Sequence, residues 1–224
     1  MKHYFIILIF FALLPLSMFA QGKRTELNPQ FIEYLNNRDF NTTGRNYGVV
    51  PSPVITPHQD LSHLSKSITF PMVFDLRDSN YVTPVKNQGS CGSCWTFSTM
   101  SAVESNWIIN YGDTANLSEN NLKNGHGFLM GPCEGGNAYM STAYFARGSG
   151  PVSETDDPYM QNNDTYYNIR PDTWINEARF LPAQPSYSDT ELPGYITMLK
   201  KAIMENGALS TLYFHDDNYV DNIN

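Results

Sequence analysis

Basic side chains are scarce in this chain. Its 224 residues carry 14 Lys and Arg against 22 Asp and Glu, a formal charge of −8. Nucleic-acid binding is therefore disfavoured, because neutralising phosphates needs a basic face. Cysteine is rarer still. Three cysteines are too few for a disulfide-dense scaffold, and an odd number leaves at least one thiol unpaired within the chain. No internal repeat is evident, and charged residues make up only 16% of the chain. Apolar and aromatic mass fills the space they leave: 41% of residues are hydrophobic, with 14 Tyr and 13 Phe. That is enough to bury a core and to exclude global disorder. The length fits one domain or two small ones.

Only one long apolar run occurs, from Tyr4 to Leu14. Lys2 and His3 precede it, Pro15 breaks it, and Ser17, Met18, Phe19 and Ala20 follow. The pattern predicts a signal peptide over residues 1–20, cut after Ala20. The stretch reaches about 17 residues, short of the ~20 that span a bilayer, so no membrane contact is expected after cleavage. Export implies a secreted, periplasmic or extracellular protein, in a compartment where a disulfide persists.

Asn28-Pro29 predicts a helix start, with Phe31, Ile32 and Leu35 on one face. Residues 40–70 read as a linker rich in Pro, Ser and Asn, so residues 21–70 are expected as a short segment between the signal and the main domain. The remainder, 71–224, reads as the main domain. Val73-Phe74-Asp75-Leu76 predicts an extended strand. Residues 93–110 predict a helix with apolar residues on more than one side (Trp95, Phe97, Val103, Trp107 and Ile108 among them), hence a buried one. Further helices are predicted from the Ser118 cap to Lys123, from Gly136 to Arg147, and from Pro193 to Glu205. In the last of these, Ile196, Leu199, Ala202 and Ile203 share a face. Leu209–Phe214 predicts a strand. Helices come first and strand-like segments later, an α+β layout with segregated halves.

The chemically informative stretch is Gln88-Gly89-Ser90-Cys91-Gly92-Ser93-Cys94-Trp95. Cys94 stands at the start of the buried helix, where unpaired N–H groups and the positive dipole end favour a thiolate. Its pKa is therefore expected below the free value of ~8.5. The Cys94 amide and the Gln88 side-chain amide offer two donors for an oxyanion, the requirement of acyl transfer. Two other chemistries use overlapping residues. Cys91-x-x-Cys94 also fits a dithiol redox pair, and Cys91, Cys94, Cys133 and His126 make a countable zinc set.

Cys91-Gly92-Ser93-Cys94-Trp95, preceded by Gln88-Gly89, resembles the papain-like cysteine proteases. Phe74-Asp75-Leu76-Arg77, Leu117-Ser118-Glu119-Asn120, Cys133-Glu134-Gly135-Gly136 and the stretch Gly150-Pro151 to Pro158-Tyr159 are similar to further segments of that family. The resemblance implies a two-lobed α+β fold, with the helical lobe complete and the β-rich lobe only partly present. It implies Cys94 as nucleophile, Gln88 as oxyanion donor and a Cys91–Cys133 bridge. Gly135 and Gly136 would pair with an extended polypeptide substrate, and Ala138 would line the neighbouring pocket. No metal or cofactor is expected, and no oligomer is implied. A non-catalytic, peptide-binding or regulatory homologue is the alternative. Two departures stand out. Gly125 occupies a place where the family often has another cysteine, and residues 21–70 lack the long charged helix of the family's pro-segments.

The reaction also needs a histidine base. His3 falls in the signal, and His58 and His63 in the linker. His126 lies in a loop between Gly125 and Gly127 and reads as structural, and His215 ends a predicted strand. The family's base follows its nucleophile by roughly 130–150 residues, a window opening at about residue 224 here. The catalytic His and Asn are therefore expected beyond the chain, which reads as the N-terminal part of an exported, bacterial-looking member.

Overall fold

The computed structural model describes residues 27–37, 50–55, 69–162, 164–171, 173–182, 184 and 192–212. The expected signal peptide and much of the linker lie outside them, as do His3, His58, His63 and His215. The helices run in the order α1 (Pro29–Asn37), α2 (Cys94–Tyr111), α3 (Glu119–Gly125), α4 (Ala138–Ala146) and α5 (Leu192–Asn206). Their ends follow local chemistry. Asn28 Oδ1 accepts from the Gln30 N–H at 3.1 Å as Pro29 opens α1. The Ser118 hydroxyl accepts from the Asn121 N–H and caps α3. Gly112 closes α2 at φ 71°, a left-handed turn that costs glycine no Cβ clash.

Helix α2 packs against α3, α4 and α5, and α3 packs against α4. Trp95 and Met100 of α2, Leu122 of α3, and Met140, Tyr144 and Phe145 of α4 form the core with Leu117. Only Ser101, Asn110 and Tyr111 of α2 are exposed, so the helix is enclosed on nearly every side. Its fully covered positions are largely polar, which an apolar pattern does not reveal: Thr96, Thr99, Glu104 and Ser105 are all buried. The two threonine hydroxyls turn back onto the carbonyls of Ser93 and Trp95 at 2.8 Å. Glu104 accepts from Lys86 at 2.9 Å and from the Leu117 N–H at 2.7 Å. Lys86 also reaches Glu119 at 2.8 Å. One ammonium thereby ties the segment before α2, the middle of α2 and the first residue of α3 into one polar knot.

Helix α5 lies along α2 through Asn106, whose Nδ2 donates to Asn206 O at 3.0 Å, and through Ser105, whose Oγ accepts from the Ala208 N–H at 2.9 Å. Leu199, Ala202 and Ile203 are half-buried as expected, whereas Ile196 is exposed. Helix α1 likewise leaves Ile32 and Leu35 exposed, so its apolar face is uncovered.

Neither predicted strand forms among the described residues. Around Val73–Leu76 the chain makes a turn instead. Asp75 Oδ1 accepts from the Arg77 N–H at 2.8 Å, and Leu76 O accepts from the Tyr81 N–H at 2.8 Å. Met72 and Val73 are exposed, and without a neighbouring strand an extended segment has no ladder to join. Residues 209–212 are irregular, and Tyr213 and Phe214 lie outside the described residues. Strand pairing among the described residues is limited to the isolated bridges Leu27–Val54, Gly92–Glu134 and Leu117–Ser153. The architecture is thus the helical lobe together with part of the second, sheet-forming one.

Candidate active site

Cys94 is the first residue of α2, and Ser93 before it makes no side-chain cap. The Ser93 hydroxyl is instead paired with the Tyr159 hydroxyl at 2.8 Å. The first turn of α2 therefore keeps N–H groups directed at the cysteine. Sulfur accepts from the Trp95 amide and from its own. The expected low pKa does not follow, however. Burial pushes the Cys94 thiol up, and those amides pull it back only in part. Partial charges at a helix end do not offset the desolvation of a half-buried thiolate unless a full positive charge stands beside it.

Cys91 and Cys133 form a disulfide, and Cys94 is not part of it. The bridge removes Cys91 from any redox pair with Cys94 and takes two thiolates out of the possible zinc set. It also brings two loops together. Gly92 and Glu134 form a parallel bridge beside the disulfide. Two residues on, Gly136 packs flat on the Trp95 indole, so closely that a Cβ at 136 would collide with the ring. Gly135 precedes it at φ 98°, a conformation in which glycine is favoured. Gly135, Gly136 and the half-buried Ala138 are thereby assembled next to the residue that follows Cys94.

The Gln88 side-chain amide donates to Cys91 O at 2.9 Å. The Gln88 carbonyl accepts from the Tyr159 hydroxyl at 2.8 Å. Tyr159 thus braces both ends of the loop before Cys94, and its ring meets Phe97 edge-on at 4.8 Å between centroids. Gln161 supports the same loop, its Nε2 donating to Ser90 Oγ at 2.6 Å while its Oε1 accepts from the Ser90 N–H at 3.2 Å. The sequence reading names Tyr159 only as the end of a family-like stretch and does not name Gln161, because both lie about 70 positions downstream of the loop they brace. Asn137 is also absent from it: the helix predicted from Gly136 starts instead at Ala138, with Asn137 as its cap.

His126, the one histidine among the described residues, is buried. Its ring lies edge-on to Trp95 at 5.8 Å, and its Nδ1 accepts from the Phe128 N–H at 3.0 Å. Burial, then the neighbouring Arg147, holds its pKa below the ordinary value. It packs against Trp95 in the interior.

A segment ahead of the main domain reaches this site. The Val50 N–H donates to Gly136 O at 3.0 Å, and Val50 itself is buried. Asn28 then holds the same segment from the other side, its N–H donating to Pro53 O at 3.0 Å and its Nδ2 to Ser52 O at 3.0 Å.

The described site thus holds a half-buried thiol at the head of an enclosed helix, tethered through its neighbour Trp95 to a Gly-Gly turn. The chain belongs to the papain family of cysteine proteases, whose sequence profile matches residues 70–219. A viral cathepsin of Choristoneura fumiferana defective polyhedrosis virus is 41% identical over 113 residues, covering 50% of this chain and 32% of the relative. The chain therefore spans about a third of that relative's length. Digestive procathepsin L2 proteinase from Tenebrio molitor larval midgut is 36% identical over 49% of this chain and 36% of that one, with a TM-score of 0.43. Bromelain protease from Ananas comosus, solved with the E64 inhibitor, is 30% identical over 47% of this chain and 49% of that one, with a TM-score of 0.42. Among the described residues, no helix is long and apolar enough to cross a membrane.

Proposed function

We propose that the full-length protein is an exported cysteine-type endopeptidase whose nucleophile is Cys94. The observation that carries this reading is the sorting of the three sulfurs, two in a bridge and the third at the first residue of α2. The Cys94 sulfur attacks a peptide carbonyl carbon, and the carbonyl oxygen becomes an oxyanion. The Cys94 N–H and the second N–H of the Gln88 amide stabilise it, the first N–H being held by Cys91 O. The C–N bond then breaks, an imidazolium gives its proton to the leaving amine, and a thioester remains. Water, deprotonated by the imidazole, releases the acid and restores the thiol.

We do not assign His126 as this base, because its ring packs on Trp95 and its Nδ1 accepts from the Phe128 N–H. We assign the base, and the Asn that orients it, to the portion of the protein following residue 224, on the family's spacing. The raised thiol supports this division of labour, because Cys94 needs a cation beside it to ionise. The substrate is an extended polypeptide lying along Gly135 and Gly136, with Ala138 at the adjoining pocket. Residues 50–54 already occupy that edge, so they act as a pro-segment that must leave before substrate binds. The buried Val50 marks the pocket as one for an aliphatic side chain.

An epoxide or iodoacetamide probe tests this. In the full-length protein at mildly acidic pH, Cys94 should be labelled selectively, and Cys94→Ala should abolish both labelling and peptide cleavage. A labelling rate no faster than that of a free thiol would favour the non-catalytic, peptide-binding homologue instead.

A further inference from the structure

Asn137 has two duties. It caps α4: its Oδ1 accepts from the Tyr139 N–H at 3.0 Å and the Met140 N–H at 3.1 Å. These bonds fix the amide plane, so its Nδ2 is aimed away from the helix. It lies 3.3 Å from Val50 O and 3.4 Å from Pro51 O. The residue before it, Gly136, takes the N–H of the same Val50 through its carbonyl. Val50 is therefore held at both of its backbone groups, the N–H by the main chain of Gly136 and the C=O by a side chain. Asn137 is itself only 5% exposed.

A buried amide N–H needs an acceptor, and leaving it without one costs more than the bond returns. Once residues 50–54 depart, that N–H faces solvent, and a peptide laid along the same edge can supply a carbonyl in the place of Val50 O. We infer that Asn137 is a substrate-positioning residue, whose Nδ2 donates to a backbone carbonyl of the extended peptide bound along Gly136. This rests on the peptidase reading above and adds a donor that is independent of the substrate's side chains. The class of ligand it selects is an unbranched peptide backbone bearing both an N–H and a C=O at that position. A proline or N-methyl residue there would lose the Gly136 bond while keeping the Asn137 bond.

Steady-state kinetics of the full-length protein on an extended peptide provide the test. Asn137→Asp keeps the capping oxygen, and Asp is as good a cap as Asn. It replaces the donor with an anionic oxygen facing the same carbonyl. KM should rise about tenfold or more, with kcat changed by less than about twofold and the unfolding midpoint nearly unchanged. Asn137→Ser, a second variant that retains a cap, should raise KM in the same sense. A peptide analogue with that one carbonyl reduced to methylene should bind the wild type more weakly and Asn137→Asp no worse than the parent peptide does. An unchanged KM in both variants overturns the inference, and so does a joint fall of kcat and unfolding midpoint with KM constant, which is the signature of a cap alone. If the wild type cleaves no peptide at all, the peptidase reading fails first, and that result is separate from the behaviour of the variants.

Discussion

Glu119 shows how far one side chain's burial reaches. It shares Lys86 with the fully buried Glu104, so one ammonium serves two carboxyls. The donors gather on Glu104, which also receives the Leu117 N–H and the Thr83 hydroxyl. Glu119 Oε2 is buried without a hydrogen-bond partner. Burial pulls the Lys86 ammonium down, but its bonds to Glu119 and Glu104 prevail and hold it above the ordinary value. Burial pushes the Glu119 carboxyl up to about 7, against the pull of Lys86. A carboxyl held above its unfolded value of about 4.3 binds its proton more tightly when folded. Its contribution is complete below that value and disappears as the pH climbs through about 7. Urea unfolding of the full-length protein should therefore show Glu119 costing roughly 1–3 kcal/mol more at about pH 8 than at about pH 5. Glu119→Gln should flatten that difference. Identical pH slopes in both proteins would show that Glu119 titrates as an ordinary carboxyl.

Among the elements, the Cys91–Cys133 bridge has the longest reach. It joins the loop before α2 to the loop before α4, closing 42 positions. The contact of Gly136 with Trp95 lies beside that closure, next to the Gly92–Glu134 bridge. Replacing both cysteines by serine should cost about 2–5 kcal/mol in urea unfolding. It should also weaken peptide binding on the Gly135–Gly136 edge, whereas Cys94→Ala should leave unfolding nearly untouched. Equal effects of the two changes on unfolding would count against this role. The helices were legible at this scale because their signals are local. Ser118, Gly112 and the Asn28-Pro29 pair each act within four residues. The segments Val73–Leu76 and 209–212 misled for the same reason. Their β-branched and aromatic residues suit a strand, but a ladder is decided by a partner elsewhere in the chain.

The whole molecule carries uncovered apolar surface. Met72, Val73, Val85, Leu129 and Leu212 are largely exposed, with Trp174 and Met160 about half so. A chain with such patches should associate. The 224-residue chain should scatter light at micromolar concentration and bind a hydrophobic dye before any unfolding transition. A monomeric, cooperatively melting 224-residue chain would show that these side chains need no cover.

The sequence alone located the enclosed helix with Cys94 at its head, the helices to within about two residues of their ends, and the resemblance to the family, because glycines, caps and a Cys-Trp pair act through neighbours a few bonds away. It could also name Cys133, Gly135 and Gly136, though only through resemblance. The tertiary structure decided what distance in the chain hides. Tyr159 and Gln161 brace the loop before Cys94 from about 70 positions downstream. Lys86 pairs with two carboxyls buried on different helices. The Cys94 thiol sits high rather than low, because burial is a property of everything packed around a group and not of the residues beside it.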